Sequence, residues 1–193
     1  LHKEYRRQRQ MCIRDRPSPV LSQIGGAWPL DGRQVGVVVG ESVDEKELDA
    51  LVQGIHGAGM VPLVIAPKGG PVAGEIVAQR TYLTAASIEL DAVVVASPAA
   101  PAADAAPSLD QKAGAADSEA VDPRVVKVLQ EMWRHSKAIL ALEPAEAVLA
   151  AAQVSGKGVE SAADGAAAVA ALKQLLPAHR VWDRFPTTGR LAD

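Results

Sequence analysis

The residues of this chain that could do chemistry follow its predicted buried strands. Continuous β-branched runs such as GVVV (residues 36–39) predict strands buried on both faces, as in a parallel sheet. Open parallel sheets bind ligands beyond the carboxyl ends of their strands, and there the sequence places Glu41, Ser97 and Glu143. Turns of this kind can carry a phosphate-binding loop, a phosphoacceptor carboxylate or an exposed nucleophile.

The turn after the first predicted strand, GESVDEKE, lacks the features of a phosphate site. It has a single Gly40 in place of a G-x-G-x-x-G loop, so a dinucleotide site is not expected. Its acidic residues would suit a phosphoacceptor site, as in response regulators. That chemistry needs an aspartate at the end of the third strand, where Ala96, Ser97 and Pro98 stand. The carboxylates instead favour the positive end of the helix that follows.

The turn after the fourth predicted strand is where a nucleophile elbow would expose a Cys or Ser, and Glu143 occupies it. A carboxylate is a weak nucleophile without a tuned partner, and no His stands near it in the sequence. Ser97 lacks a G-x-S-x-G context. No pair of His, Cys, Asp or Glu has metal-ligand spacing. We therefore expect no catalytic, cofactor-binding or metal-binding residues in this chain.

The elements that position these turns alternate between strand and helix. Helix signals include a cap at Ser42 or Asp44, a cap at Ser161 or Asp164, and Pro123 in a first turn. The segment 69–87 is short on helix signal and would fit a small hairpin. The sequence predicts a flavodoxin-like, doubly wound parallel sheet with helices on both faces. The predicted strands are 33–40, 60–67, 90–97 and 137–142; the predicted helices are 42–59, 122–136, 144–154 (a helix or turn) and 161–176.

The chain is expected to divide into three parts. Residues 1–16 carry six Lys and Arg against two acids, and their MCIRDR stretch resembles translated sequencing-adaptor sequence, so they are excluded from the fold. A basic arm for nucleic acid is the less favoured alternative. Residues 17–32 are interpreted as a linker from a missing upstream domain. The flavodoxin-like domain covers 33–193, and its Pro/Ala/Asp-rich segment 98–121 is expected to be a mobile surface loop.

Composition excludes several classes of protein. A hydrophobic content of 48% with 22% charged residues is typical of a globular domain. The net charge of −3 gives no case for nucleic acid or an anionic membrane as a partner, and no apolar run approaches the ~18 residues of a membrane span. The single cysteine, Cys12, excludes an internal disulfide and favours a cytoplasmic location.

The order of several motifs resembles the C-terminal domain of large-subunit haem catalases over roughly residues 17–193. The motifs are SPVLSQI, GRQVGVVVGESVDEKEL, GAGMVPLVIAPKGGPV, LDAVVVAS, KAILAL and the terminal AHRVWDRFP. The segment HRVWDRFP is the most specific of them. That domain is similar to class I glutamine-amidotransferase-like proteins, including the intracellular-protease and chaperone branch, and the resemblance implies the flavodoxin-like fold.

The resemblance also implies that the amidotransferase-like site is vestigial. In active relatives a Cys stands at the elbow where this chain has Glu143, and an acid in the first helix matches Glu47. Their glycine-rich oxyanion turn matches Ala96, Ser97 and Pro98, where no glycine remains. Two of the three elements differ, so amidotransferase or protease chemistry is not carried over to this chain.

The implied function is that of a non-catalytic accessory domain in a large catalase. The parent enzyme would disproportionate hydrogen peroxide to water and oxygen in the oxidative stress response, with its haem in a domain absent here. The partners would be that haem-catalase domain and the neighbouring subunits of a homotetramer. The runner-up is a free-standing amidotransferase-like hydrolase or chaperone, which the missing thiol disfavours. A phosphate- or nucleotide-binding module is a third alternative, and it lacks a Gly-rich loop.

The terminal motif gathers rings and cations that are scarce elsewhere in the chain. His179, Arg180, Trp182, Arg184 and Phe185 suit an anchor that docks this end of the domain onto another domain or subunit, with the arginines meeting carboxylates at the rim. The alternative is that Trp182 covers the domain's own sheet edge or core.

Overall fold

The computed structural model describes residues 20, 22–100 and 121–184. Within these ranges no helix combines the length and apolarity that crossing a membrane requires. Short 3₁₀ turns cover Ser87–Glu89, Glu143–Ala145, Leu176–Ala178 and Trp182–Arg184. The strands are β1 (Gln34–Val38), β2 (Val61–Ala66), β3 (Gly70–Ala73), β4 (Ile76–Ala78), β5 (Arg80–Thr81), β6 (Ala92–Val95), β7 (Ala138–Leu142) and β8 (Val159–Ala162). The helices are α1 (Glu45–Gly57), α2 (Pro123–Arg134), α3 (Glu146–Ala151) and α4 (Gly165–Leu175).

Six of these strands form a parallel sheet in the order β5-β2-β1-β6-β7-β8. The central strand β1 pairs on both sides, so that Val35 lies beside Pro62 of β2 and Ala92 of β6. Apart from the short edge strand β5, this is the flavodoxin-like order, in which the connections reverse direction between β1 and β6. The predicted fold class is confirmed.

The strands are buried on both faces because helices cover both sides of the sheet. On one face α1 and α4 place Leu51 and Leu172 against alternate strand residues such as Val37. On the other face α2 and α3 place Leu129 and Val148 against the remaining strand residues. This arrangement explains why the strands are unbroken apolar runs instead of alternating patterns.

The helix starts follow the predicted caps. The Asp44 carboxylate accepts a hydrogen bond from the main-chain N–H of Glu47 at 2.9 Å, and α1 begins one residue after Asp44. Asp164 accepts one from the N–H of Ala167 at 2.8 Å at the start of α4. Pro123 occupies the first turn of α2. In both cases with two candidate caps, aspartate and not serine is the capping residue.

Two strands of the structure, β5 and β8, were not predicted from the sequence. The edge strand β8 has the sequence VESA, with two exposed polar residues at its centre, so it lacks the apolar run that marked its neighbours. The strand β5 is only two residues long. The hairpin expected within 69–87 is present, since β3 and β4 pair antiparallel.

The predicted domain boundaries are only partly covered by the described residues. Residues 1–16 lie outside them, as does 101–120 of the loop expected at 98–121. The two flanks of that loop are close together, because the N–H of Asp122 donates to the carbonyl oxygen of Ala99 at 2.8 Å. The linker at 17–32 and the domain at 33–193 stay predictions.

The two helices on the α1 face pack closely because small residues lie between them. A Cβ atom on Gly54 would lie 3.1 Å from a methyl group of Val169, and one on Gly165 would lie 3.1 Å from the Cβ of Leu51. Ala168 is completely buried in the same layer. Small residues at the inner positions of α4 are therefore required for its close packing against α1.

We expect Ala168→Leu to destabilise the chain by about 1–3 kcal/mol, because added methylenes in a well-packed core force side chains or backbone to shift. Ala170→Leu is the matched control, because Ala170 lies on the exposed face of the same helix. Urea unfolding followed by circular dichroism gives both free energies of unfolding. Equal values for the two variants would contradict the close packing of α1 and α4.

Candidate functional site

The crevice at the carboxyl ends of β1 and β6 is the first place to look for a site, because the connections reverse direction there. Gly40 follows β1 and Ser97 follows β6. The N–H of Gly40 donates to the Ser97 Oγ at 2.7 Å, and Ser97 is buried. A Cβ atom on Gly40 would overlap the carbonyl oxygen of Pro98. Direct contact between the two turns therefore closes the crevice.

The side chain of Tyr82 lies beneath this crevice. Its hydroxyl donates to the carbonyl oxygen of Val39 at 2.6 Å, and its ring is buried. Burial raises the pKa of the Tyr82 phenol, and the nearby charge of Asp122 acts in the same direction. The void beside the ring is about 10 Å³, which is the space of about one water molecule. Tyr82 therefore holds the residue after β1 by a hydrogen bond, and the void beside its ring is too small for a ligand.

The buried carboxylate of Asp122 lies at the same edge and is fully engaged. It accepts hydrogen bonds from the main-chain N–H of Arg124 at 2.8 Å and from its guanidinium at 2.9 and 2.6 Å. Burial alone would raise the pKa of Asp122, but these hydrogen bonds hold it below its ordinary value. The pair caps α2, and both oxygens of the Asp122 carboxylate are occupied by Arg124.

The three positions predicted to be vestigial, Glu47, Ser97 and Glu143, lie in different surroundings. Glu47 is half-buried in the first turn of α1, and Glu143 is exposed in the turn after β7. Among the described residues, no hydrogen bond or ion pair joins Glu47, Ser97 and Glu143 to one another. A nearby pocket of about 200 Å³ lies under the β3–β4 hairpin, and its walls include Glu41 and Lys68 but none of these three.

The terminal motif lies at the opposite end of the sheet, across the amino ends of the strands. The N–H of Val181 donates to the carbonyl oxygen of Ser136 at 2.7 Å, just before β7. A Cβ atom on Gly158, just before β8, would overlap the side chain of Val181. The motif is thus packed against its own domain.

A cluster of charged side chains joins this motif to the start of β1. The Arg33 Nη1 donates to the Asp91 carboxylate at 2.9 Å and to the His179 Nδ1 at 2.8 Å. The Arg180 Nη1 lies 3.9 Å from the same carboxylate. Because a guanidinium can only donate, the His179 Nδ1 must accept, so the ring is neutral with its proton on Nε2. Burial, then the charges of Arg180 and Arg33, lower the pKa of His179, and Asp91 opposes them.

A buried ammonium lies at the same edge. The Lys137 Nζ donates to the carbonyl oxygens of Ser87 at 2.5 Å and Leu90 at 2.6 Å. Burial lowers the pKa of Lys137 to about 8, and the charge of Arg180 acts in the same direction. Lys137 therefore ties the connection before β6 to the start of β7.

The remaining predicted interface residues also contact their own domain. Arg184 donates to the carbonyl oxygens of Trp133, at 3.2 Å, and of Lys137, and its guanidinium lies 5.9 Å from the centroid of the Trp133 ring. Arg184 thus meets two carbonyl oxygens of its own domain, and its pairing with carboxylates of a neighbouring domain or subunit stays a prediction. Trp182 is partly exposed, with its indole N–H donating to the Ala178 carbonyl at 2.8 Å. Phe185 lies outside the described residues.

The sequence had not pointed to the partners of this motif. The partners stand before strands or at the chain entry, whereas the ligand sites expected of such a sheet follow its strands; these partners are Trp28, Arg33, Asp91 and Lys137. A usable signal did exist, because Arg33, Asp91 and Lys137 each directly precede a predicted apolar run or open it. Parallel strands bring such positions to one edge. In the described part of the chain no group of three or more His, Cys, Asp or Glu could hold a metal.

Comparison with known proteins identifies related chains. The family model for the C-terminal domain found in long catalases matches residues 31–186. The chain is 27% identical over 181 residues to a protein named catalase HPII from Pseudomonas aeruginosa, covering 90% of this chain and 23% of that protein. It is 26% identical over 178 residues to a catalase HPII from Pseudomonas putida, covering 86% and 22%. The chain thus spans less than a quarter of the length of these curated relatives.

We expect Gly40→Ala to lower the free energy of unfolding by about 1–3 kcal/mol, because its Cβ would meet the main chain of Pro98 and not a movable side chain. Gly57→Ala is the control, since nothing lies within 4 Å of the added atom in the last turn of α1. Urea unfolding compares the variants with the parent chain. An unchanged Gly40→Ala would mean that the crevice is not closed by this contact.

We also expect the stability of the chain to fall as the pH drops below about 6.5, the ordinary pKa of histidine. The unfolded chain takes up a proton on His179 near that pH, whereas the folded chain resists it until lower pH because the pKa is depressed. The contribution of His179 to the free energy of unfolding is therefore fully present above the pKa of the unfolded chain. It is lost as the pH falls through the pKa of the folded chain.

His179→Asn tests this directly. Asparagine keeps an acceptor for Arg33, is one of the residues enriched at positive φ, as residue 179 requires (φ 65°), and does not titrate. The variant should show a shallower loss of melting temperature at acidic pH. His56→Asn, on the exposed surface of α1, is the control and should keep the parent's slope. The same slope in both variants would exclude His179 as the titrating group.

Proposed function

The chain belongs to the family of C-terminal domains found in long catalases, and we propose that it is a non-catalytic accessory domain of such an enzyme. In this proposal the parent disproportionates hydrogen peroxide to water and oxygen at a haem outside this chain. The domain stabilises the parent's homotetramer through contacts with the haem-catalase domain and neighbouring subunits. The catalase names of the relatives from both Pseudomonas species support the activity of the parent.

The closed crevice between β1 and β6 is the observation that carries the non-catalytic assignment. Flavodoxin-like domains bind ligands at this point of the sheet, and here Gly40 contacts Pro98 while Ser97 accepts the Gly40 N–H. A substrate would have to separate two turns that are joined by main-chain contact. Among the residues that the structure describes, the exposed Glu143 at the elbow position has no hydrogen-bond or ion-pair partner that would activate it as a nucleophile.

The described residues do not fit a haem group. The buried Tyr82 phenol donates to a main-chain carbonyl beside a void of about 10 Å³, so it has neither a free oxygen nor space for a macrocycle. The Nδ1 of His179 accepts from Arg33, so its Nε2 carries the proton and has no lone pair for iron. The pocket under the β3–β4 hairpin has no His, Cys or Tyr in its walls. We therefore assign haem, and every step of peroxide chemistry, to the preceding part of the parent enzyme.

The proposal places the enzyme in the cytoplasm as a defence against hydrogen peroxide. The chain's single cysteine excludes an internal disulfide and supports a reducing compartment.

The double substitution Trp182→Ala with Phe185→Ala in the full-length parent tests this proposal. We expect a lower melting temperature or a loss of tetramer, because truncating an aromatic at the centre of an interface costs about 2 kcal/mol or more. Turnover per intact haem site should be unchanged, since no catalytic group is altered. Melting temperature, mass by light scattering, haem content and peroxide turnover are measured on the same preparation.

Leu83→Ala provides the matched control, because Leu83 is a 75% exposed apolar residue at the other end of the sheet. It should leave all four measurements unchanged. Normal stability and assembly in the double variant would reject the stabilising role. Lost turnover in an intact tetramer with full haem would reject the non-catalytic role.

A further inference from the structure

We propose that the amino edge of the sheet is the surface on which the preceding part of the long catalase polypeptide docks. This inference rests on the proposed function and deepens it by assigning the docking surface and its occupant. The amino-edge surface comprises Trp28, Trp133, Trp182 and the groove beside Trp182, whose rim carries Lys157 and Asp183. Its occupant is the protein surface contributed by the chain that precedes residue 20 in the full-length enzyme.

The distribution of tryptophan singles out this edge. The chain has three tryptophans, and all three lie here. Trp28 and Trp182 flank His179, with ring centroids 5.9 and 6.5 Å from the imidazole, while Trp133 lies against Arg184. Trp28 is 38% and Trp133 39% exposed. Tryptophan is enriched at protein interfaces and carries much of their binding energy, so its concentration at one end marks that end for contact.

The groove beside Trp182 has the composition of an interface. Its volume is about 520 Å³, against about 200 Å³ for the pocket under the β3–β4 hairpin. Apolar groups of Leu175, Val181 and Trp182 line it, and charged groups of both signs stand around them. An apolar centre with a polar rim is the usual anatomy of a protein–protein contact. The mixed charges of the rim suit a protein surface better than a nucleic acid or an anionic membrane.

The path of the chain identifies the occupant. The N–H of Trp28 donates to the carbonyl oxygen of Pro177 at 2.8 Å, so the entry to the domain is fixed at this edge. Gly25 forms part of the groove wall, and Ile24 is 64% exposed. Since the family is a C-terminal domain and the chain covers 23% of its relative from Pseudomonas aeruginosa, most of the enzyme precedes it.

The chain enters the domain close to the tryptophans. The eight residues from position 20 to Trp28 span at most about 28 Å when fully extended. The preceding polypeptide is covalently joined at this edge, and such a tether favours docking within one subunit over contact with another molecule. The carboxyl edge lies at the far ends of the strands and gains nothing from this tether.

Lysine cross-linking of the intact full-length enzyme, followed by mass spectrometry, tests the inference. Lys157 stands at the amino edge, whereas Lys46 and Lys68 are exposed at the carboxyl edge. We expect Lys157 to cross-link to lysines of the preceding catalase domain, and Lys46 and Lys68 to react mainly within their own domain. The reverse pattern would overturn the assignment, as would a dominant Lys157–Lys157 link, which can form only between two copies.

Ile24→Asp supplies the second measurement. Ile24 is exposed, so the substitution should leave the fold of the domain intact by circular dichroism, while its charge should reduce the Lys157 cross-links several-fold. Leu83→Asp is the matched control at the carboxyl edge and should not reduce them. Unchanged cross-links in Ile24→Asp would overturn the inference.

The same preparations distinguish failure of this inference from failure of the proposed function. A full-length parent without haem or peroxide turnover would reject the proposed function, whatever the cross-links show. An active parent whose cross-links run from the carboxyl edge would reject the docking surface alone.

Discussion

A neutral imidazole at residue 179 holds the two ends of the domain together. Arg33 stands before the first strand of the sheet and His179 follows the last helix, yet the Nη1 of one donates to the Nδ1 of the other at 2.8 Å. Three further side chains surround this contact: Arg180, Lys137 and the single carboxylate of Asp91. Cations outnumber acids there, so burial and these charges together disfavour a proton on the imidazole and lower the pKa of His179. Carbonyl oxygens of Ser87 and Leu90 compensate the buried ammonium of Lys137.

The charged cluster around His179 lies at the opposite edge of the sheet from the one where doubly wound folds usually bind ligands. At the carboxyl edge, where such folds normally bind ligands, main-chain contact between Gly40 and Pro98 closes the crevice between β1 and β6. The side chains that interact over long range, by contrast, are concentrated at the amino edge. Of the positions predicted to be vestigial, Glu143 is exposed and Ser97 accepts a structural hydrogen bond from Gly40.

The local parts of this structure could be predicted from the sequence, and the long-range parts could not. The apolar runs of β1 and β6 and the caps at Asp44 and Asp164 are local signals, because burial on both faces and helix capping depend on neighbours in the chain. The strand β8 was missed because its VESA sequence belongs to a half-exposed edge. The pairing of Arg33 with His179 joins residues 146 positions apart, and no local pattern specifies such a contact.

The close packing of the core is consistent with the position of the three tryptophans at the amino edge of the sheet. Gly54, Gly165 and Ala168 bring α1 and α4 close together over the sheet, and the largest fully buried side chains of the described residues are Leu, Ile and Met. A tryptophan needs more room than such a layer provides, since interiors are packed to crystal-like density and tolerate little added volume. The three tryptophans lie outside this layer, at the end of the sheet where the chain entry, the end of α2 and the terminal turn meet, while the smaller ring of Tyr82 is buried near the carboxyl edge. The alanine-rich helices and the tryptophan-rich edge are thus two consequences of one packing constraint.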